Sequence, residues 1–172
     1  MKITMGDTKN LISNDAIEKI KTLAESANTC HFATALNKLP LSTRPMVTQK
    51  VDDAGNIWFM SGKNSTKNYE IKADKRVQLF YSHQSSSEYL SIFGEAEIIF
   101  DEKLVDEMWS PIAKAWFTGG KDDPAISLIK VTPHEGYYWD TKNNKVVALA
   151  KIAAVIVTGK TMDDGVKVKL KV

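Results

Sequence analysis

The sequence predicts an α+β fold built on a small, mainly antiparallel β-barrel. Three observations lead there. Six or seven short stretches rich in strand formers follow one another, joined for the most part by turn residues. Helical periodicity is confined to segments at the ends of these stretches. The long strand-like run at 88–100, EYLSIFGEAEIIF, carries Gly94 in its middle, where a bulge would let a strand bend around a barrel. Alternating strand–helix units are absent, which argues against a doubly wound nucleotide fold, and neither GxGxxG nor GxxxxGK[ST] occurs.

In chain order, Asn14–Ala27 reads as a helix. Asn14 or Ser13 caps it, and Ile17, Ile20, Leu23, Ala24 and Ala27 form its apolar stripe. Residues 29–37 alternate as a strand. Cys30 and His31, adjacent on that strand, point to opposite faces and form no dyad. Residues 45–52 and 57–61 read as a hairpin around the turn Asp53-Ala54-Gly55-Asn56. A short helix follows over 65–73, capped by Asn64 or Ser65, then strands at 76–83 and 88–100 separated by Ser85-Ser86-Ser87. Asp101 caps a helix to Trp109, Pro111 interrupts it, and a second helix resumes through Trp116. After the loop 118–124, strands are expected at 125–131 and 135–140, separated by Thr132-Pro133. Residues 143–157 have one apolar helical face and read as a helix ending at Gly159, with a strand as the alternative because of their β-branched content. The expected organisation is one domain over 1–159 and a C-terminal tail over 160–172.

Composition narrows the function. An apolar fraction of 43% supports a real core, and a formal charge of +2 gives no basic excess to argue for nucleic acid. Cys30 is the single cysteine, so no internal disulfide forms, which fits a reducing compartment. The N-terminus has no apolar signal-like stretch and no run approaches a membrane span, so a soluble, cytoplasmic protein is expected. His31, His83 and His134 lie apart, without partners at metal-ligand spacing, and no metal site is expected. The paired carboxylates Asp52-Asp53 and Asp122-Asp123 fall in turns and read as turn residues.

Two constellations remain. The first is the hairpin at 42–72. Folding it brings Arg44, at the start of one strand, toward Ser61, Ser65, Thr66 and Lys67 at the end of the other. A guanidinium, an ammonium, hydroxyls and the free amides of a helix N-terminus are the groups that hold a phosphate. The second is aromatic: Trp109, Trp116, Phe117, Tyr137, Tyr138 and Trp139. Trp116-Phe117 borders a polar Gly-Gly loop and would suit a flat apolar ligand.

The ordered series RPM, DxxGxxWFMSG, SxKxxEI, RVQLFYS, GEAEI, KLVDEMWSP, KAWF, GGKDDPAISLIKVTP and YYWD resembles the flavin-binding general stress protein group of the pyridoxamine 5′-phosphate oxidase-like superfamily. The resemblance implies a split β-barrel, a homodimer, and FMN bound at the subunit interface. It implies that Arg44 begins the flavin strand, and that the backbone of Met46 and Val47 edges the isoalloxazine. Met60 and Ser61 would lie near the ring and ribityl chain, and Ser65 and Lys67 at the phosphate. Trp116 and Trp139 would come to the flavin from the other subunit. It further implies flavin oxidoreduction, with a non-catalytic flavin or deazaflavin binding module as the alternative. The true oxidases hold their substrate phosphate with an Arg-x-His element just after the strand matching Tyr138-Trp139. Residues 140–145 here are Asp-Thr-Lys-Asn-Asn-Lys, so oxidation of pyridoxamine 5′-phosphate is not expected.

Overall fold

A computed structural model describes residues 10–12, 14–141 and 165–171. Among them are eight strands and four helices: β1 (Asn10–Ile12), α1 (Asn14–Ala27), β2 (Thr29–Thr34), β3 (Ser42–Val51), β4 (Ile57–Gly62), α2 (Thr66–Ala73), β5 (Arg76–His83), β6 (Glu88–Ile99), α3 (Glu102–Met108), α4 (Pro111–Trp116), β7 (Ile126–Thr141) and β8 (Gly165–Lys171). The helix expected at 143–157 lies outside the described residues. No helix among those described is long and apolar enough to cross a membrane.

Six strands close on themselves in the order β7-β4-β3-β2-β5-β6, and the β6–β7 pairing completes the ring. All the pairings within this ring are antiparallel. The sixteen-residue β7 is what splits the barrel. Its first half pairs with β4 from Ile126 to Val131, and its second half pairs with β8 from Glu135 to Thr141. Throughout both halves β6 lies alongside.

Alternation along the strands builds the interior. On β5, Val77, Leu79 and Tyr81 are buried while Arg76 and Phe80 are exposed. The barrel core joins Phe32, Phe59, Leu79, Ile92, Ile129 and Val131, with the rings of Phe32 and Phe59 edge to face at 5.2 Å. Helix α1 adds Ala16, Ile20, Leu23 and Ala24 to this core, and α2 adds Ile71. A second cluster lies on the other face of β4 and β7. There Trp58, Met60, Ile126 and Leu128 pack under Val105, Met108 and Ala113 of α3 and α4. Burial on both faces explains why β4 reads as the unbroken run IWFM instead of alternating.

The helix ends follow their local chemistry. Asn28 takes a left-handed φ of 61° and its amide bonds to the Ala24 carbonyl, closing α1. The Asp101 carboxylate accepts from the amides of Lys103 and Leu104 to start α3, and the Ser110 hydroxyl accepts from the Ala113 amide ahead of Pro111 to start α4.

Two expectations are corrected. Thr132-Pro133 does not separate two strands, because β7 runs through it. Pro133 sits opposite Gly94 where the β6–β7 register shifts, so its missing N–H falls at an irregularity of the ladder. The segment 160–172 is not simply a tail: Gly165–Lys171 forms β8, antiparallel to β7 and parallel to β1. The strand signal was present as the alternation Val166, Lys167, Val168, Lys169, Leu170, Lys171.

Candidate functional site

The β3–β4 hairpin turns on Asp52. Its carboxylate accepts from the amides of Ala54 and Asn56 and, at 2.9 Å, from the Trp58 indole. This carboxylate therefore belongs to the turn, as its sequence setting implies. Strand β4 then delivers Ser61 to the head of α2, where Ser65 is the N-cap residue. Ser61 is buried, and its hydroxyl lies 2.8 Å from Asn68 Oδ1 and 3.1 Å from Ser65 Oγ. Asn68, also buried, donates from Nδ2 to Ser127 Oγ at 2.9 Å and to the Lys63 carbonyl at 3.3 Å. The Ser127 hydroxyl donates to the Ser61 carbonyl at 3.1 Å. One side-chain amide thus fastens β4, β7 and α2 together at this point. Ser65 makes no side-chain cap bond, so its hydroxyl is not tied to the helix.

Arg44 reaches the same helix from β3. Nη1 donates to Thr34 Oγ1 at 2.5 Å and to the Phe32 carbonyl at 3.3 Å; Nη2 donates to Ser42 Oγ at 2.6 Å and to Glu70 Oε2 at 2.9 Å. The Thr34 and Ser42 hydroxyls donate in turn to the two Glu70 oxygens, at 2.5 and 2.8 Å. A guanidinium has five N–H bonds, and four here are engaged within the chain. Instead of opening its fork outward, Arg44 contributes its positive charge and Nε–H beyond this network. Burial pushes the Glu70 carboxyl up, but the hydroxyls of Thr34 and Ser42 and the Arg44 guanidinium hold it below its ordinary value.

Lys67 is different. It lies on the first turn of α2, partly buried, and among the described residues it makes no ion pair and no hydrogen bond. Burial, and then the Arg44 charge, push its ammonium below the ordinary lysine value. Two cations are thus held near each other beside α2, and the Glu70 carboxylate is turned to one of them, Arg44.

Ser61 and Ser65 are in contact at the head of α2, and Arg44 lies near Lys67 beside the same helix. The pieces that the sequence pattern did not single out are Thr34, Ser42, Asn68, Glu70 and Ser127. Glu70 was legible as the acidic residue of SxKxxEI, but its partners come from β2 and β3 and carry no local signal. Met46 is buried in the barrel core and Met60 in the cluster under α3 and α4. Val47 lies on β3 with its side chain on the opposite face from Met46. Trp116 ends α4 and is 77% exposed. Trp139 is partly buried near the far end of β7, with its ring 6.5 Å from that of Tyr137. The twelve steps from Ser127 to Trp139 correspond to about 40 Å of strand path, so the two ends of β7 serve different places within one chain.

Outward-facing residues of neighbouring strands line up across the barrel wall: Pro45, His31, Phe80, Ser91 and Tyr137 occupy one cross-strand row. Leu36 and Leu41 of the β2–β3 loop and Phe80, Phe93 and Tyr137 line a groove of about 510 Å³ on this face. Among the described residues no group of three or more His, Cys, Asp or Glu could hold a metal ion. Cys30 is buried, and burial pushes its thiol up to about 12, which makes it a poor nucleophile.

Residues 15–163 match the family model described as pyridoxamine 5′-phosphate oxidase like. The chain is 27% identical over 129 residues to protein bli-3 of Neurospora crassa, a match that takes in 70% of this chain and 62% of that protein. Its fold is similar to that of a protein assigned as general stress protein 26 from Jannaschia sp. CCS1, with a TM-score of 0.71 and 26% identity over 92% of this chain and 96% of that one. It is also similar to the general stress FMN/FAD binding protein of Xanthomonas citri, with a TM-score of 0.65 and 25% identity over 77% of this chain and 93% of that one.

Proposed function

The chain belongs to the pyridoxamine 5′-phosphate oxidase-like family, and on that premise we propose that it is a general stress flavoprotein that binds FMN. The observation that carries the proposal is Lys67, a partly buried ammonium beside Arg44 at the head of α2 with no counter-ion among the described residues. The FMN phosphate is a dianion near neutral pH and meets that need with charge and acceptors together. Lys67 supplies a point charge, Ser65 a hydroxyl, α2 its first amides, and Arg44 a second positive charge fixed in place by Glu70. The backbone of β3 at Met46 and Val47 and that of β4 at Met60 and Ser61 then edge the rest of the flavin. The description of the Xanthomonas citri protein as FMN/FAD binding supports a flavin.

The activity proposed is flavin oxidoreduction. When bound, the flavin supplies the two-electron chemistry, and the chain binds it, orients it and limits its contact with water. Oxidation of a reduced nicotinamide by the purified, flavin-loaded protein would support an oxidoreductase. Retention of flavin without turnover would instead support a binding module. Pyridoxamine 5′-phosphate is not expected to be oxidised, since residues 140–145 offer no arginine or histidine to its phosphate.

We place this protein in a homodimer. The groove lined by Leu36, Leu41, Phe80, Phe93 and Tyr137 and the exposed Trp116 support it, because a second copy would cover them. In such a dimer Trp116 and Trp139 approach the flavin from the partner, consistent with the separation of Trp139 from Ser127 along β7.

The phosphate assignment is tested with Lys67→Ala. FMN binding should weaken by about 1.5–3 kcal/mol, roughly ten- to a hundredfold, while riboflavin, which has no phosphate, should bind both proteins equally. Flavin fluorescence titration reads both. Equal weakening of the two ligands would mean that Lys67 acts through the fold.

A further inference from the structure

The hydrogen bonds around Asn68 can be given directions, and the directions decide which serine serves the anion. The Lys63 carbonyl is an acceptor only, so the nitrogen of the Asn68 amide faces it. That orientation places Oδ1 against Ser61, and the Ser61 proton goes to it at 2.8 Å rather than to the Gly62 carbonyl at 3.4 Å. The Ser127 proton is committed to the Ser61 carbonyl, so Ser127 receives from Asn68 Nδ2. Every proton in this buried set is then assigned. The contact of 3.1 Å between Ser61 and Ser65 can be bridged only by the Ser65 proton.

We propose that Asn68 is a positioning residue: by taking the Ser61 proton it makes Ser65, of the two serines in contact, the one that donates to the anion. Ser65 gives its proton to Ser61 when no anion is present and turns it to the anion on binding. Ser61 therefore competes with the anion for the Ser65 proton and is not its ligand. This inference rests on the reading that the flavin phosphate lies at Ser65 and Lys67.

The test compares FMN with riboflavin on the full chain stripped of ligand, and takes the ratio of their affinities as the contribution of the phosphate. Ser65→Ala should lower the ratio by about tenfold or more, the loss of one charge-assisted hydrogen bond. Ser61→Ala should raise it about two- to tenfold, the release of one neutral hydrogen bond, even though it lowers the melting temperature by leaving Asn68 Oδ1 without a donor. Asn68→Ala frees the Ser61 proton, which Ser65 and the Gly62 carbonyl then share, so it should raise the ratio by up to a similar factor. Combined with Ser61→Ala it should add nothing further, a non-additivity that a purely structural role would not produce. If Asn68→Ala does not fold, the opposite signs of the two serine variants still carry the test.

A ratio that falls in Ser61→Ala or in Asn68→Ala overturns the proposal. So does a ratio that falls in Lys67→Ala but not in Ser65→Ala, which leaves the phosphate reading standing. A wild-type ratio near one, unmoved by Lys67→Ala, removes the phosphate reading itself.

Discussion

Lys67 and Glu70 lie one turn apart on α2, and their environments shift them for opposite purposes. Burial and the neighbouring Arg44 disfavour the charged form of Lys67, and the phosphate proposed to bind there would reverse this. FMN affinity should accordingly be highest where Lys67 is protonated in the empty site. It should decline as pH rises through the lowered Lys67 value toward 10.5. Titrations at increasing pH should show this slope in the wild type and lose it in Lys67→Ala. Glu70 is held below its ordinary value despite burial, by Thr34, Ser42 and Arg44. Its stabilising contribution is present above the unfolded value of 4.5 and is lost as pH falls through the lowered folded value. Glu70→Gln should cost about 1–3 kcal/mol at neutral pH, the range for weakening a charged hydrogen-bond set. In urea denaturation the difference from wild type should shrink on acidification, because wild-type Glu70 is then also neutral. A difference that stays constant down to low pH would show that the carboxylate charge is not what matters.

At the scale of elements, the bend of β6 against β7 depends on a close backbone approach. A Cβ placed on Gly94 would meet the Thr132 carbonyl oxygen at 2.3 Å, a backbone atom that cannot swing aside. Gly94→Ala should therefore destabilise the fold by about 1–3 kcal/mol, as overpacking does. Gly62→Ala, with nothing within 4 Å of the added carbon, should stay within about 0.5 kcal/mol of wild type. Chemical denaturation of the pair measures both, and equal stabilities would contradict this account of the bend. The bulge itself was legible, since a glycine inside a long strand pattern signals one. Its partner was not: Thr132-Pro133 looked like an interruption because the sequence does not show that the proline lies opposite the same irregularity. Helix α1 was legible to its boundaries, Asn14–Ala27, from a periodic stripe and a capping signal at its start.

For the whole molecule, the outer wall decides assembly. Phe80 is 44% exposed at the centre of a cross-strand row that includes Pro45 and Tyr137. A charge there should be tolerated by one barrel, whose core lies on the other face, but not by a pair of barrels joined through this wall. Light scattering should give twice the chain mass of 19.2 kDa for wild type and the single mass for Phe80→Glu. That variant should also bind FMN more weakly, because the partner's aromatic residues would be lost. A wild-type particle of one chain mass would rule out the dimer.

The sequence by itself determined strands β2 to β6, the helices α1 to α4, the β3–β4 turn and the grouping of Ser61, Ser65 and Lys67 near one helix start. These depend on period, on turn chemistry and on spacing of a few residues, all of which act locally. Only the tertiary structure decided that four N–H groups of Arg44 are engaged by Phe32, Thr34, Ser42 and Glu70. It also decided that Asn68 reaches Ser127, 59 positions away, and that the last described segment closes onto β7. The physical reason is shared. Hydrogen-bond partners of buried polar groups are chosen by whichever strands the barrel brings alongside, and closure of a β-barrel joins residues with no proximity in the chain.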